Sequence, residues 1–135
     1  FGATLDTLAP DAPVIDLAAA DDSGASDGDN LTNLASVTLS VAAETGATVT
    51  LNGQSAVATA GAASFTVALA EGANAFSATA TDAAGNTSAA GTSTVTRDSD
   101  ADADNDLAVS LGDSLINAAE RAAVAFTLTG LDPDA

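Results

Sequence analysis

Apolar and polar residues alternate along most of the chain between residues 14 and 97, a pattern typical of strands with one buried face. Val37, Leu39 and Val41 fall on one side, and Thr38 and Ser40 fall on the other. Successive strand side chains point to opposite faces, so this segment is predicted to bury its aliphatic side. Alanine is abundant but follows the same alternation instead of a helical period. Six further strands are predicted at residues 14–17, 48–51, 55–59, 64–69, 73–81 and 92–97.

The segments between these strands contain turn-forming residues. Asn52 and Gly53 form a pair suited to a type I′ hairpin, and Gly61, Gly72 and Gly85 mark other turns. Seven short strands within about 90 residues are typical of a β-sandwich of the immunoglobulin type. The fold class predicted from the pattern is therefore all-β, an immunoglobulin-like Greek-key sandwich of about seven strands.

The composition limits which partners and which kinds of site the chain can have. The chain has 135 residues, 47% of them hydrophobic, and a formal net charge of −17; its only basic residues are Arg97 and Arg121. Binding to nucleic acid or to anionic membranes requires cationic side chains, so both are excluded as partners. No apolar run approaches the length of a membrane span, so membrane insertion is not expected. The chain has no cysteine, so neither a disulfide framework nor a thiolate zinc site is possible.

The chemical inventory argues against an enzyme. His, Cys, Lys, Tyr and Trp are all absent, which removes the usual general bases, most nucleophiles and the imidazole ligands of metals. A pair of carboxylates, as in a glycosidase, remains formally possible. No aromatic platform accompanies such a pair, and the domain also lacks the Trp and Tyr that anchor most recognition surfaces. We therefore predict that the chain is not an enzyme.

The acidic residues are bunched in the predicted loops. Sixteen of the nineteen are aspartate: seven lie between residues 6 and 29 and six between residues 82 and 106. Calcium takes six to eight oxygen ligands, and short carboxylates gathered in loops supply them. Because loops alternate between the two ends of an antiparallel sandwich, the loop after the first strand is expected beside the chain's exit near Asp98. The loop at residues 82–86 is expected beside the incoming linker with Asp6 and Asp11.

Two stretches carry a family resemblance. The string LDTLAPDAPVIDLAAADDSGASDGDNLTN and the later LAEGANAFSATATDAAGN are similar to the tandem bacterial immunoglobulin-like repeats of giant type I secreted adhesins, the biofilm-associated and RTX group. The resemblance covers roughly residues 1 to 98. It implies a secreted module on the bacterial cell surface, one of many copies in series that hold a terminal adhesive region away from the cell, with Ca²⁺ bound at the junctions.

The resemblance also implies which residues bind the metal. Asp6 matches the family's linker aspartate, and Asp82 with Asn86 matches its TDxxGN turn. The family's acidic first loop is matched by Asp21, Asp22, Asp27 and Asp29, and Asp98 repeats the place of Asp6. After Arg97 the string SDADADND replaces a linker of the type TLAPDAP, and it adds Asp100, Asp102 and Asp104 to the predicted ligands.

Internal similarity predicts the domain organisation. Thr4 to Asp6 align with the end of the predicted last strand, so residues 1–6 are expected to be the last strand of a preceding repeat. Residues 7–98 form one complete domain. Residues 99–135 are expected to be a linker and the first strands, 107–111 and 123–129, of a following repeat, because DNLTN resembles DSLIN further on. Two strands alone cannot bury a core. The expected partners are therefore neighbouring repeats of the same polypeptide, or copies of the chain that donate a strand.

Three other interpretations stay open. The chain could be a subunit of a strand-exchanged extracellular filament or surface layer, since its last strands need completion. It could be a halophilic, acidic accessory domain of a secreted enzyme, in which the carboxylates only maintain solubility. Asp82 and Asn86 could serve only to shape a turn, as Asx residues do. The last two alternatives give the aspartates a role other than metal binding.

Overall fold

The computed structural model describes residues 2–23, 26–100, 108–111 and 126–129. By their contacts these residues belong to two compact units, Phe1–Ser99 and Asp100–Ala135. In the second unit, β9 (Ala108–Leu111) and β10 (Phe126–Thr129) pair antiparallel. Both strands were predicted, at residues 107–111 and 123–129, and the described residues 108–111 and 126–129 fall within those ranges. Asp102 and Asp104 lie outside the described residues.

The first unit contains eight strands in two sheets. They are β1 (Val14–Leu17), β2 (Leu31–Thr32), β3 (Ser36–Ala42), β4 (Thr48–Leu51), β5 (Gln54–Val57), β6 (Ala62–Ala68), β7 (Gly72–Thr81) and β8 (Gly91–Arg97). One sheet has the order β1-β3-β6 and the other β2-β8-β7-β4-β5. The chain changes sheet five times, between β1 and β2, β2 and β3, β3 and β4, β5 and β6, and β6 and β7. The predicted immunoglobulin-like β-sandwich is confirmed.

The core fills the space between the sheets, as the alternation predicted. Leu39, Val41 and Phe65 come from the three-stranded sheet, and Val49 and Val95 from the five-stranded sheet; all five are buried in one cluster. Each such side chain contributes about 1.5–3 kcal/mol relative to leaving it in water. Outward positions of the same strands carry mainly threonine, serine and alanine.

The turn between β4 and β5 has the predicted conformation. Asn52 and Gly53 both have positive φ, 44° and 90°, as a type I′ turn requires. The Asn52 side chain accepts a hydrogen bond from the N–H of Ser77 at 3.0 Å, which ties the turn to β7.

Strand directions separate two ends of the first unit. The start of β1 pairs with the end of β3, since Val14 lies opposite Ala42. We call this end the upper pole; it also contains the loop at residues 82–90. The opposite end, the lower pole, contains the loop at residues 18–30 and the chain after β8. The two acidic segments of this unit therefore lie at opposite ends of the sandwich.

One strand was missed by the sequence analysis. Leu31 and Thr32 form β2, which runs parallel to the end of β8 with Thr32 opposite Arg97. Two residues are too few to show an alternating period, so the pattern gave no signal for them. This short strand matters because it connects the acidic first loop to the residues where the chain leaves the sandwich.

Candidate metal centre

The first loop is built around buried polar contacts at the lower pole. Thr32 is 1% exposed, and its hydroxyl donates to the carbonyl oxygen of Asp21 at 2.6 Å. The Ser23 hydroxyl lies 3.3 Å from the same Thr32 oxygen and accepts from the N–H of Asn33 at 3.0 Å. These contacts fold the loop back onto β2, which places its aspartates at a defined position.

Asn30 joins three parts of the pole. Its side-chain oxygen accepts from the N–H of Leu17 at 3.1 Å, and its carbonyl accepts from the N–H of Thr96 at 2.9 Å. Its own N–H donates to Oδ2 of Asp22 at 3.2 Å. It has a φ of 59°, which asparagine tolerates better than most residues. Asn30 was not among the predicted site residues; an Asx residue directly after Asp29 was the only signal for it in the sequence.

Asp22 is the unusual carboxylate of this loop. It is 8% exposed, and its Oδ1 is buried with no hydrogen-bond partner among the described residues. Burial raises the pKa of Asp22 above its ordinary value of 3.8; the N–H of Asn30 opposes that rise, and the neighbouring Asp29 carboxylate adds to it. A buried carboxylate oxygen with no donor is costly. The site is therefore electrostatically incomplete as it stands.

The other predicted ligands of the loop occupy different positions. Oδ2 of Asp21 accepts from the N–H of Thr38 at 2.6 Å, which ties the loop to β3. Oδ1 of Asp29 accepts from the N–H of Leu31 at 3.2 Å. Asp27 is exposed. The carboxylates of Asp22 and Asp29 are close enough to interact. One oxygen of Asp21 is used to bind the backbone of Thr38.

The upper pole contains a self-contained turn. Oδ1 of Asp82 accepts from the N–H groups of Ala84 and Asn86 at 2.8 and 2.9 Å, and Oδ2 accepts from Nδ2 of Asn86 at 2.8 Å. The hydrogen bond from the Asn86 side chain is the main reason that the pKa of Asp82 falls below its ordinary value of 3.8. Nδ2 of Asn86 also donates to the carbonyl oxygen of Asp6 at 3.2 Å. The structure thus brings Asp6, Asp82 and Asn86 together.

At the lower pole the chain leaves beside Glu71. The N–H of Asp98 donates to the carbonyl oxygen of Thr32 at 2.9 Å. Arg97 pairs with Glu71, with 3.3 Å between Nη1 and Oε2. Asp98 is therefore at the same pole as the first loop, as predicted, and Asp100 is exposed in the second unit.

Carboxylates alone would supply only some of the oxygen ligands that a cation needs at the lower pole. Within the ranges described above, no group of three or more Asp, Glu, His or Cys side chains converges in a way that could hold a metal ion. Asp22 and Asp29 would supply two carboxylates, and Ca²⁺ also accepts backbone carbonyl and water oxygens. The assignment of all eleven predicted ligands stays a prediction.

Comparison with known families identifies the sandwich. Residues 7–99 match the model of a family described as a bacterial Ig-like domain. A comparison with curated proteins gave no match. The part of the chain that the structure describes contains no helix long and apolar enough to cross a membrane. The matched residues comprise the two-sheet unit and both of its poles.

Proposed function

Because the chain belongs to the bacterial Ig-like domain family, we propose that it is a calcium-binding extender module of a bacterial cell-surface adhesin. Domains of this family are typically extracellular or surface-exposed, and they are generally non-catalytic structural modules. In the proposed role, Ca²⁺ stiffens the junctions between neighbouring repeats. The stiffened array then holds an adhesive region away from the cell and supports biofilm formation.

The observation that carries the proposal is the buried Oδ1 of Asp22, which has no partner within the described ranges. Its carboxylate lies within a fixed loop beside a second carboxylate, Asp29, and its raised pKa reflects the cost of that charge. A bound cation would offset both the burial and the repulsion between the two groups. The donor set therefore fits Ca²⁺, with Asp22 and Asp29 as the first ligands and backbone carbonyls and water as the others.

The distribution of charge supports a local role for the aspartates. Strands β3, β4, β5, β6 and β7 contain no charged residue. Carboxylates that served only to keep the protein soluble would be spread over exposed strand faces as well. In this unit all but Asp16, on an exposed position of β1, are placed outside the strands, toward the poles where a neighbouring repeat would join the chain.

The proposed mechanism is electrostatic. Without a cation, the carboxylates of the first loop and of the adjoining linker repel each other at short range, so the junction bends freely. Ca²⁺ removes this repulsion and links the loop that holds Asp22 to the chain that leaves at Asp98. The protein residues position the oxygens, and the ion supplies the cross-link.

Small-angle X-ray scattering tests the extender role on a polypeptide with two complete copies of residues 7–98. Profiles are measured in calcium, in EGTA, and in sodium at matched ionic strength. A maximum dimension that becomes longer and fixed only in calcium supports the proposal. Identical profiles in all three solutions would remove it. The Asp22→Asn variant should resemble the EGTA sample in every solution, whereas Asp16→Asn, on an exposed strand position, should behave as the unmodified protein.

A further inference from the structure

The segment before β1, residues 6–13, contacts the upper pole at two points, and the first is the side-chain amide of Asn86. Nδ2 of Asn86 donates both to Oδ2 of Asp82 and to the carbonyl oxygen of Asp6. Asp82 also binds the backbone N–H of Asn86, so the position of the side-chain amide is fixed from two sides. Asn86 is thereby pre-organised to reach the incoming chain.

A second contact holds the same segment. Pro10 and Pro13 are buried although most of their neighbours are exposed. A Cβ atom on Gly91 would lie 1.7 Å from the carbonyl oxygen of Pro13, so only glycine permits this approach. The incoming chain therefore packs directly on the start of β8.

The chain that leaves the sandwich is held in a similar way at the lower pole. Oε1 of Glu71 accepts from the N–H of Ser99 at 3.0 Å, and Oε2 accepts from the Ser99 hydroxyl at 2.9 Å. The same carboxylate pairs with Arg97. Hydrogen bonds to a charged acceptor are stronger than those between neutral groups. Glu71 thus attaches the outgoing chain to the turn between β6 and β7.

We propose that Asn86 and Glu71 are positioning residues of two clips, which set the directions in which the chain enters and leaves the domain. Each clip joins a loop to a linker residue through hydrogen bonds between described protein groups. The domain thus presets its own side of each junction. The clips are expected to hold with or without Ca²⁺ at Asp22, so this inference does not depend on calcium binding there.

Backbone ¹⁵N relaxation of the full chain tests the clips in calcium and in EGTA. The reporters are the amides of Leu8, in the incoming segment, and Ser99, in the outgoing one. In the unmodified protein both should have order parameters near those of rigid backbone, about 0.85, in both solutions. An order parameter below about 0.6 at either amide in EGTA would overturn that clip, without any variant.

Each variant serves as the control for the other. Asn86→Ala should lower the order parameter of Leu8 and leave Ser99 unchanged, whereas Glu71→Ala should lower that of Ser99 and leave Leu8 unchanged. Unchanged order parameters in both variants would contradict the proposal. A simultaneous fall at both amides would indicate general loosening of the domain and would also contradict it. Calcium binding is measured on the same samples. Loss of calcium binding would contradict the proposed function, whereas unchanged order parameters in the variants would contradict the clips, so the two results are distinguishable.

Discussion

The backbone N–H of Asn30 donates to one oxygen of Asp22, and the other oxygen of that carboxylate is buried with no partner in the part of the chain that the structure describes. This half-satisfied group lies in a loop that is otherwise well bonded, through Thr32 to Asp21 and through Asn30 to β1 and β8. Buried polar groups are nearly always paired in folded proteins. The exception is the strongest structural support for an ion at the lower pole.

Replacing Asp22 by Asn should stabilise the domain when no divalent cation is present. The substitution keeps an oxygen that can accept from Asn30 and removes a buried charge that the N–H of Asn30 offsets only in part. Thermal unfolding in EGTA should show a higher Tm for Asp22→Asn than for the unmodified chain. Each 1 kcal/mol shifts Tm by about 4–8 °C in a domain of this size, so the change is measurable. An equal or lower Tm would show that the carboxylate is not strained.

The stability difference between these two proteins should depend on pH with a defined sign. The folded-state pKa of Asp22 is raised above its ordinary value of 3.8, so folding favours its protonated form. Its contribution is fully present below the ordinary value and is lost as the pH rises through the raised pKa. In EGTA, the Tm advantage of Asp22→Asn should therefore grow with rising pH over that window and vanish below it. A constant advantage would contradict the assignment.

Asp82 should affect stability with the opposite pH dependence to Asp22, because its pKa is lowered and not raised. Its pKa is lowered, mainly by the hydrogen bond from the Asn86 side chain. The stability that it contributes is present above 3.8 and is lost as the pH falls through the lowered value. In Asn86→Ala, the pKa of Asp82 should return toward 3.8, as followed by ¹³C NMR of the carboxyl carbon. If that pKa does not change, Asn86 is not its main cause.

Truncating the centre of the core should cost far more than changing a neighbouring surface position. Leu39 is fully buried and lies between Leu17 and Phe65 on the adjacent strands. Leu39→Ala should lower the free energy of unfolding by about 2–5 kcal/mol, as measured by denaturant titration. Ser40→Ala, one position along and exposed, should stay within about 0.5 kcal/mol. Similar losses in both would mean that the inward face is misassigned.

Much of the fold was predictable, because alternation and turn residues are local signals. In the first unit, β1 and β4 have the predicted bounds, and the other five predicted strands differ by one or two residues at one or both ends. β2 was missed since two residues carry no period. Its parallel pairing with β8 depends on contacts between distant residues, such as Thr32 opposite Arg97.

The candidate site was predictable only as a region. Residue type and spacing placed aspartates in loops at both poles, but they could not show how each oxygen is used. Asp6 and Asp29 each bind an N–H two residues later, a common local role of Asx side chains. Asp21 instead binds Thr38 on β3. Which carboxylate oxygen is buried without a partner among the described residues depends on tertiary packing, and therefore only the structure distinguishes Oδ1 of Asp22 from the other carboxylate oxygens of the loop.

Calcium titration by isothermal calorimetry, on the full chain after EGTA treatment and removal of the chelator, tests the central claim most directly. We predict saturable binding to the unmodified chain, weakened at least about tenfold (about 1.4 kcal/mol) in Asp22→Asn and unchanged in Asp16→Asn. The first substitution removes a buried ligand charge, and the second removes an exposed one of equal magnitude. Absence of binding, or equal binding by all three proteins, would contradict the account.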